Sequence, residues 1–210
     1  MGGLDSGRLS MARSCVGAIL AGGEAARMRG APKGLEKING ERIIDTVSRC
    51  LGGASDSVVL IANDAAAAEW IPGMRVIGDL RPGLGAMSGL HAALSATGAD
   101  VLAIAWDMPF VPAGLLRALR DAGETADADI AVPRSNSPWG FEPLVAWFRD
   151  RAITPIEQML DAEDGRIGAL AEHAKLLTVD VSSLGDPDEL FFSVNTPDDL
   201  AAANRIALRV

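Results

Sequence analysis

Short runs that are apolar at successive positions, and not merely at alternate ones, constrain the fold of this chain more than any other feature. Four come early, at residues 16–21 (VGAILA), 57–62 (SVVLIA), 74–79 (MRVIGD) and 101–106 (VLAIAW). Three follow, at 128–133 (ADIAVP), 143–148 (PLVAWF) and 175–181 (KLLTVDV). A strand that is apolar on both faces needs cover on both, which a sheet with one wet face does not supply. Stretches with helical periodicity lie between the runs, at 42–51, 87–95, 115–121 and 198–207. Strands alternating with helices predict a three-layer α/β architecture around a mainly parallel sheet. Residues 15–210 contain no internal repeat, low-complexity tract or linker and read as a single domain. Residues 1–14, rich in small residues without periodicity, read as a disordered lead, with Met11 as an alternative start.

Composition narrows the partners. The chain is 49% hydrophobic and 22% charged, with a formal net charge of −9, which disfavours a polyanionic partner such as DNA. Aromatic residues make up 4% and tyrosine is absent, so stacking platforms for single-stranded nucleic acid are not expected. Two cysteines, Cys15 and Cys50, stand outside any metal-ligand spacing and suit a reduced, cytoplasmic chain. No apolar run reaches the length of a membrane span.

In parallel sheets, ligands bind at the carboxyl ends of the strands, so functional residues should follow the apolar runs directly. Three places do this. After the first run, Gly22 and Gly23 let the backbone approach a ligand closely and turn amides towards phosphate. Arg27 and Lys33 then bring charge to phosphate oxygens, the arginine as a planar fork and the lysine as a point charge. The stretch matches neither the Walker pattern nor the dinucleotide fingerprint, and taken alone it also suits a solvated basic loop. After the fourth run, Asp107 is placed to hold Mg²⁺, a hard cation that takes oxygen ligands and bridges to phosphates. The bland alternative is a turn or helix-capping aspartate. After the third run, Asp79 opens a loop containing Gly83, Gly85 and Gly89. Its carboxylate can accept from two adjacent N–H donors on a base edge such as that of guanine, or can simply stabilise the turn.

The motifs together carry a resemblance. Leu-Ala-Gly-Gly, three residues and Arg-Met occupy positions 20–28, with Lys33 ten residues beyond the second glycine. This resembles the signature of the molybdenum cofactor guanylyltransferases. The resemblance extends in order through GDLRPGLGAMSGL at 78–90, DMPF at 107–110, FEPLVAWF at 141–148 and SVNTPDDL at 193–200. It implies a Rossmann-like nucleotidyltransferase fold and transfer of GMP from GTP to molybdenum-bound molybdopterin, with Mg²⁺ as cofactor and pyrophosphate released. It further implies that Leu20, Ala21, Gly22 and Gly23 line the nucleotide pocket, that Lys33 contacts phosphate and that Asp79 contacts GTP. Asp107 would hold Mg²⁺, and Arg27 matches the signature arginine near the phosphates. Arg27, Lys33 and Asp107 form the implied catalytic set, and Glu142 and Asn195 are acceptor-side candidates. The implied partners are GTP, a molybdopterin-type phosphorylated acceptor and, transiently, proteins that deliver or receive the cofactor.

The sequence also departs from that pattern. Arg29 replaces the usual glycine, Pro32 precedes Lys33, Ala86-Met87 stand within the glycine-rich loop, Ile61 takes the place of an asparagine with Asn63 two residues on, and Ser193 replaces the first asparagine of N-x-N-T-P. These departures bear on the base and the acceptor, and leave open a relative using CTP or another phosphorylated acceptor, or a protein that binds nucleotide without turnover. Thr196, Pro197, Asp198 and Asp199 read as a helix start. Trp106 reads as core, and Trp139 as a loop residue able to cover a ligand.

Overall fold

A computed structural model describes residues 13–22, 27–28 and 31–209, with 27, 28 and 31 described at the backbone only. Gly23, Arg29, the guanidinium of Arg27 and residues 1–12 of the expected lead lie outside this description.

The elements run β1 (Cys15–Leu20), β2 (Arg27–Met28), β3 (Ala31–Pro32), β4 (Lys37–Ile38), β5 (Glu41–Arg42) and α1 (Ile43–Gly52). Then come β6 (Ser57–Ile61), α2 (Ala67–Trp70), β7 (Arg75–Ile77), α3 (Ala86–Thr97), β8 (Asp100–Ala105) and α4 (Ala113–Thr125). The last are β9 (Ile130–Pro133), β10 (Val145–Phe148), α5 (Ile153–Asp161), β11 (Leu176–Val179), α6 (Pro187–Leu190) and α7 (Pro197–Ile206). Seven strands form the central sheet in the order β11-β9-β10-β8-β1-β6-β7, and two short hairpins, β2–β3 and β4–β5, stand beside it.

Every neighbouring pair in the sheet is parallel except those made by β10, which runs antiparallel to β8 and β9. The reason lies in the connection. Parallel neighbours need a crossover, usually a helix, whereas the link from β9 to β10 holds none and bends back through an Arg134–Phe141 bridge.

The two-sided apolar runs are covered as expected. All six residues of β8 are buried. Ile19, Leu60, Leu102 and Ile104 face one layer, with Ile43, Leu51, Leu115 and Leu119 from α1 and α4. The alternate residues Ala18, Val59, Val101 and Ala103 face the other, against Met87 and Leu90 of α3 and Ile156 and Leu160 of α5. This is a three-layer, mostly parallel α/β sheet.

Element ends differ from expectation by a few residues, most at α4, which runs on to Thr125, and at β7 the ladder stops at Ile77 and leaves Gly78 and Asp79 beyond it. Helix α5 was not anticipated. Its Ile156, Met159 and Leu160 are buried at helical spacing, and Pro155 sits in the first turn, where a missing N–H costs nothing.

Trp106 is core, as expected. It is 1% exposed, and its ring stacks on Trp70 with centroids 5.1 Å apart. Its other neighbour is Gly34, where any side-chain carbon would overlap the indole. Gly34 thus lets the short 3₁₀ turn Lys33–Leu35 press onto the sheet end, which buries the Lys33 side chain.

Candidate active site at the sheet switch point

The chain leaves β1 for β6 and β7 on one side and returns to β8 on the other, so the direction of connection reverses at β1. Ligand crevices open at such points, beyond the carboxyl ends of the strands. Here a cavity of about 680 Å³ opens there, within the size range of small-molecule sites. It brings together Leu20 at the end of β1 with Ala21 and Gly22 after it, Lys33, Asp79 after β7, Asp107 after β8, and Asn195. These residues are far apart in the chain, and the sheet, the 3₁₀ turn at Lys33 and the start of α7 make them neighbours.

At one end, four side chains close a ring of hydrogen bonds. Lys33 Nζ donates to Asp107 Oδ2 at 2.5 Å and to Asn195 Oδ1 at 2.7 Å. Asn195 Nδ2 donates to Ser193 Oγ at 2.8 Å, and Ser193 Oγ donates to the same Asp107 oxygen at 2.8 Å. Lys33 and Asp107 are both buried, which makes the charge-assisted bond strong and the loss of either partner costly. The segment carrying Ser193 and Asn195 is tied to the same strand end, because Val194 N–H donates to the Asp107 carbonyl at 2.9 Å. Asn195 is fixed from its other side by the start of α7. There Thr196 and Asp199 form a reciprocal capping box, and Asp199 Oδ2 also accepts the Asn195 N–H at 3.0 Å.

At the other end, Asn63 follows β6 and faces Asp79. The Asp79 N–H donates to Asn63 Oδ1 at 2.8 Å, and Asn63 Nδ2 donates to Asp79 Oδ2 at 2.7 Å. Between the two ends lie Gly83, Gly85, Ala86 and Gly89 at the start of α3. Gly85 holds φ near 59°, a left-handed conformation that favours glycine, and α3 begins there with no side-chain cap. A helix N-terminus without a cap offers its first N–H groups to an anion.

Glu142 does not line the cavity. Its carboxylate turns back to accept the Leu144 N–H at 3.1 Å, and burial, then the nearby Asp107 charge, pushes its pKa up. Leu144 meets the cavity in its place. Trp139 is 53% exposed and rests against Gly168, where a side chain would overlap it, and does not reach the cavity. Three cavity residues, Ile61, Ala86 and Ser193, stood in the sequence only as departures from a pattern. Ser193 is part of the ring, and Ile61 forms apolar wall beside Ala62. Asn63 also lines the cavity, and the signal for it is its place directly after an apolar run and two residues past the asparagine position that Ile61 occupies.

The donor set fits a magnesium ion. One carboxylate, Asp107, stands among the neutral oxygens of Ser193 and Asn195, and no group of three His, Cys, Asp or Glu side chains among the described residues makes a closed metal cage. Mg²⁺ characteristically takes one or two carboxylates and completes its shell with water and substrate phosphates.

The chain is similar to several known proteins. Residues 17–176 match the family described as MobA-like NTP transferase domain. The chain is 34% identical to a probable molybdenum cofactor guanylyltransferase of Pelotomaculum thermopropionicum, covering 91% of this chain and 92% of that one. It is 33% identical to the molybdenum cofactor guanylyltransferase of Shewanella frigidimarina, over 86% and 90% of the two chains. Among solved structures, molybdopterin-guanine dinucleotide biosynthesis protein A from Archaeoglobus fulgidus superposes with a TM-score of 0.77 at 27% identity. That match covers 93% of this chain and 100% of the other.

Proposed function

The chain belongs to the MobA-like NTP transferase family and is a nucleotidyltransferase, and we propose that it transfers GMP from GTP to the terminal phosphate of molybdenum-bound molybdopterin. The observation that carries the reading is the pairing of two polar ends in one cavity: the Lys33–Asp107–Ser193–Asn195 ring for the phosphates, and the Asn63–Asp79 pair for the base. The names of the relatives supply the acceptor.

In this reading a phosphate oxygen of the acceptor attacks the α-phosphorus of GTP. A new P–O bond forms as the bond to the β-phosphate oxygen breaks, and pyrophosphate leaves with that electron pair. No side chain forms a covalent intermediate, so the residues act by positioning and by offsetting charge. Lys33 is held by Asp107 and Asn195 and meets phosphate oxygens without having to be ordered first. Gly22 leaves backbone room for the triphosphate, and Gly23 and Arg27 keep the phosphate roles that the family resemblance implies. Leu20, Ala21 and Ile61 give the nucleoside an apolar bed, and Asp79 accepts from the guanine edge. Asp107 would hold Mg²⁺, whose chemistry is to neutralise the crowded phosphates and the leaving pyrophosphate. Asn195 reaches towards the acceptor side, and Glu142 supports it indirectly by fixing the Leu144 backbone. Cytoplasmic operation belongs to the same proposal, with the free thiols of Cys15 and Cys50 as its support.

The test is thermal stabilisation by GTP, CTP, ATP and UTP, each with and without Mg²⁺, in the wild type and in Asp107→Asn. Ligand at a hundred times Kd adds about 2.7 kcal/mol to folded-state stability. A GTP-selective, Mg²⁺-dependent shift that weakens in the variant is expected. A CTP-selective shift would replace the guanylyl reading with a cytidylyl one.

A further inference from the structure

The parallel ladder between β6 and β7 ends with Ile61 opposite Ile77 and a last backbone bond from Ala62 N–H to the Ile77 carbonyl at 3.0 Å. One step further on, a side chain takes over from the backbone. Asn63 Oδ1 accepts the Asp79 N–H, and Asn63 Nδ2 grips Asp79 Oδ2. The orientation of this amide is unambiguous, because a backbone N–H can only donate and a carboxylate can only accept.

The consequence is a carboxylate with one oxygen tied and the other directed. Asp79 Oδ1 lies 3.9 Å from the point where a β-carbon of Gly89 would stand, and Ile61 Cγ2 and Leu20 Cδ2 lie 3.3 and 3.5 Å from that point. Leu20, Ile61 and Gly89 thus make an apolar floor, and Asp79 Oδ1 stands at its edge. A flat floor with a fixed acceptor at its rim suits a planar heterocycle that presents adjacent N–H donors. Asn63 itself is exposed, so packing does not require it.

We propose that Asn63 is the positioning residue that aims Asp79 at the nucleotide base and thereby sets which base is accepted. This rests on the reading above, in which Asp79 meets the guanine edge. Without the amide, Asp79 is free to rotate into solvent, and the base edge loses its fixed partner while the phosphate end of the cavity is untouched.

The experiment is a binding cycle by calorimetry, using GTP, inosine triphosphate (which lacks the 2-amino donor) and inorganic tripolyphosphate as a probe of the phosphate end. The proteins are the wild type, Asn63→Ala, Asp79→Ala and the double variant. Asn63→Asp is added because it keeps the acceptor for the Asp79 N–H and removes the Nδ2 donor. Asn63→Ala should lower the preference for GTP over inosine triphosphate by about tenfold, the size of one hydrogen bond to a charged group. Asn63→Asp should lower it at least as much, and tripolyphosphate affinity should not move. In the Asp79→Ala background, the Asn63 change should add nothing. An equal loss in both backgrounds, or a preference lost in Asp79→Ala but intact in Asn63→Ala, overturns the role of Asn63 alone. A preference that Asp79→Ala leaves intact, or none in the wild type, overturns the underlying assignment of Asp79 as base reader.

Discussion

Lys33 and Asp107 meet across 74 residues of chain, and each explains why the other can be buried. Removing one partner strands the other charge in a site that water barely reaches, which typically costs 3–5 kcal/mol. Lys33→Met is therefore expected to destabilise the fold by ~3 kcal/mol or more, as well as to weaken nucleotide binding. Lys33→Met combined with Asp107→Asn should cost less than the two changes added together, by on the order of 1–3 kcal/mol, because neither residue then leaves an unpaired charge. Urea unfolding of the three variants measures this, and strictly additive costs would mean that the pair is not coupled. Both residues were legible in the sequence, since each lies in a stretch following an apolar run. Ser193 and Asn63 stood there only as marks of a departure from a pattern, and their roles were not readable because those exist only through partners 86 and 16 residues away. Neither a serine nor an asparagine carries a periodic or charge signal that marks such a partnership in advance.

Helix α7 shows how an element places a side chain it does not itself contain. Its capping box ties Asp199 to the Asn195 and Thr196 N–H groups, and this fixes the backbone from which the Asn195 amide reaches Lys33. Loss of a cap of this kind costs ~1 kcal/mol. Asp199→Ala should lose about that much stability and, in addition, weaken Mg²⁺–GTP binding, because it removes the acceptor that holds the Asn195 N–H. Chemical denaturation together with nucleotide titration checks both halves; a loss of stability with unchanged affinity would show that the cap and the ring are independent. The helix start was readable from Thr-Pro-Asp-Asp, because capping is a local interaction. The direction of β10 was not, since its apolar residues suit either direction and only the absence of a helix in the link before it decides.

Strand β8 sets two carboxylates at opposite ends of the sheet, Asp100 at its start and Asp107 just past its end, roughly 20 Å apart at ~3.3 Å per residue. Their surroundings differ. Asp107 has a buried lysine, whereas Asp100 has a fully covered side chain, one N–H from Asp150 at 2.9 Å and a half-exposed Arg13 at 3.7 Å. Its Oδ2 is buried with no partner among the described residues. Burial therefore prevails over these two aids and raises the Asp100 pKa. A folded-state pKa above the unfolded value means that the folded protein holds the proton more tightly. The stability this contributes is fully present below the unfolded pKa and is lost as pH rises through the folded one. The wild type should accordingly lose stability relative to Asp100→Asn as pH is raised from about 4 towards neutrality. Because the cavity lies at the other end of the sheet, the stabilisation by Mg²⁺–GTP should be the same in both proteins. Unfolding free energies taken across that pH range, with and without nucleotide, test the two statements together. A constant gap between the proteins would mean that ionised Asp100 is paid for by Arg13 and Asp150, and a reduced nucleotide shift in the variant would mean that the two ends of β8 are not independent.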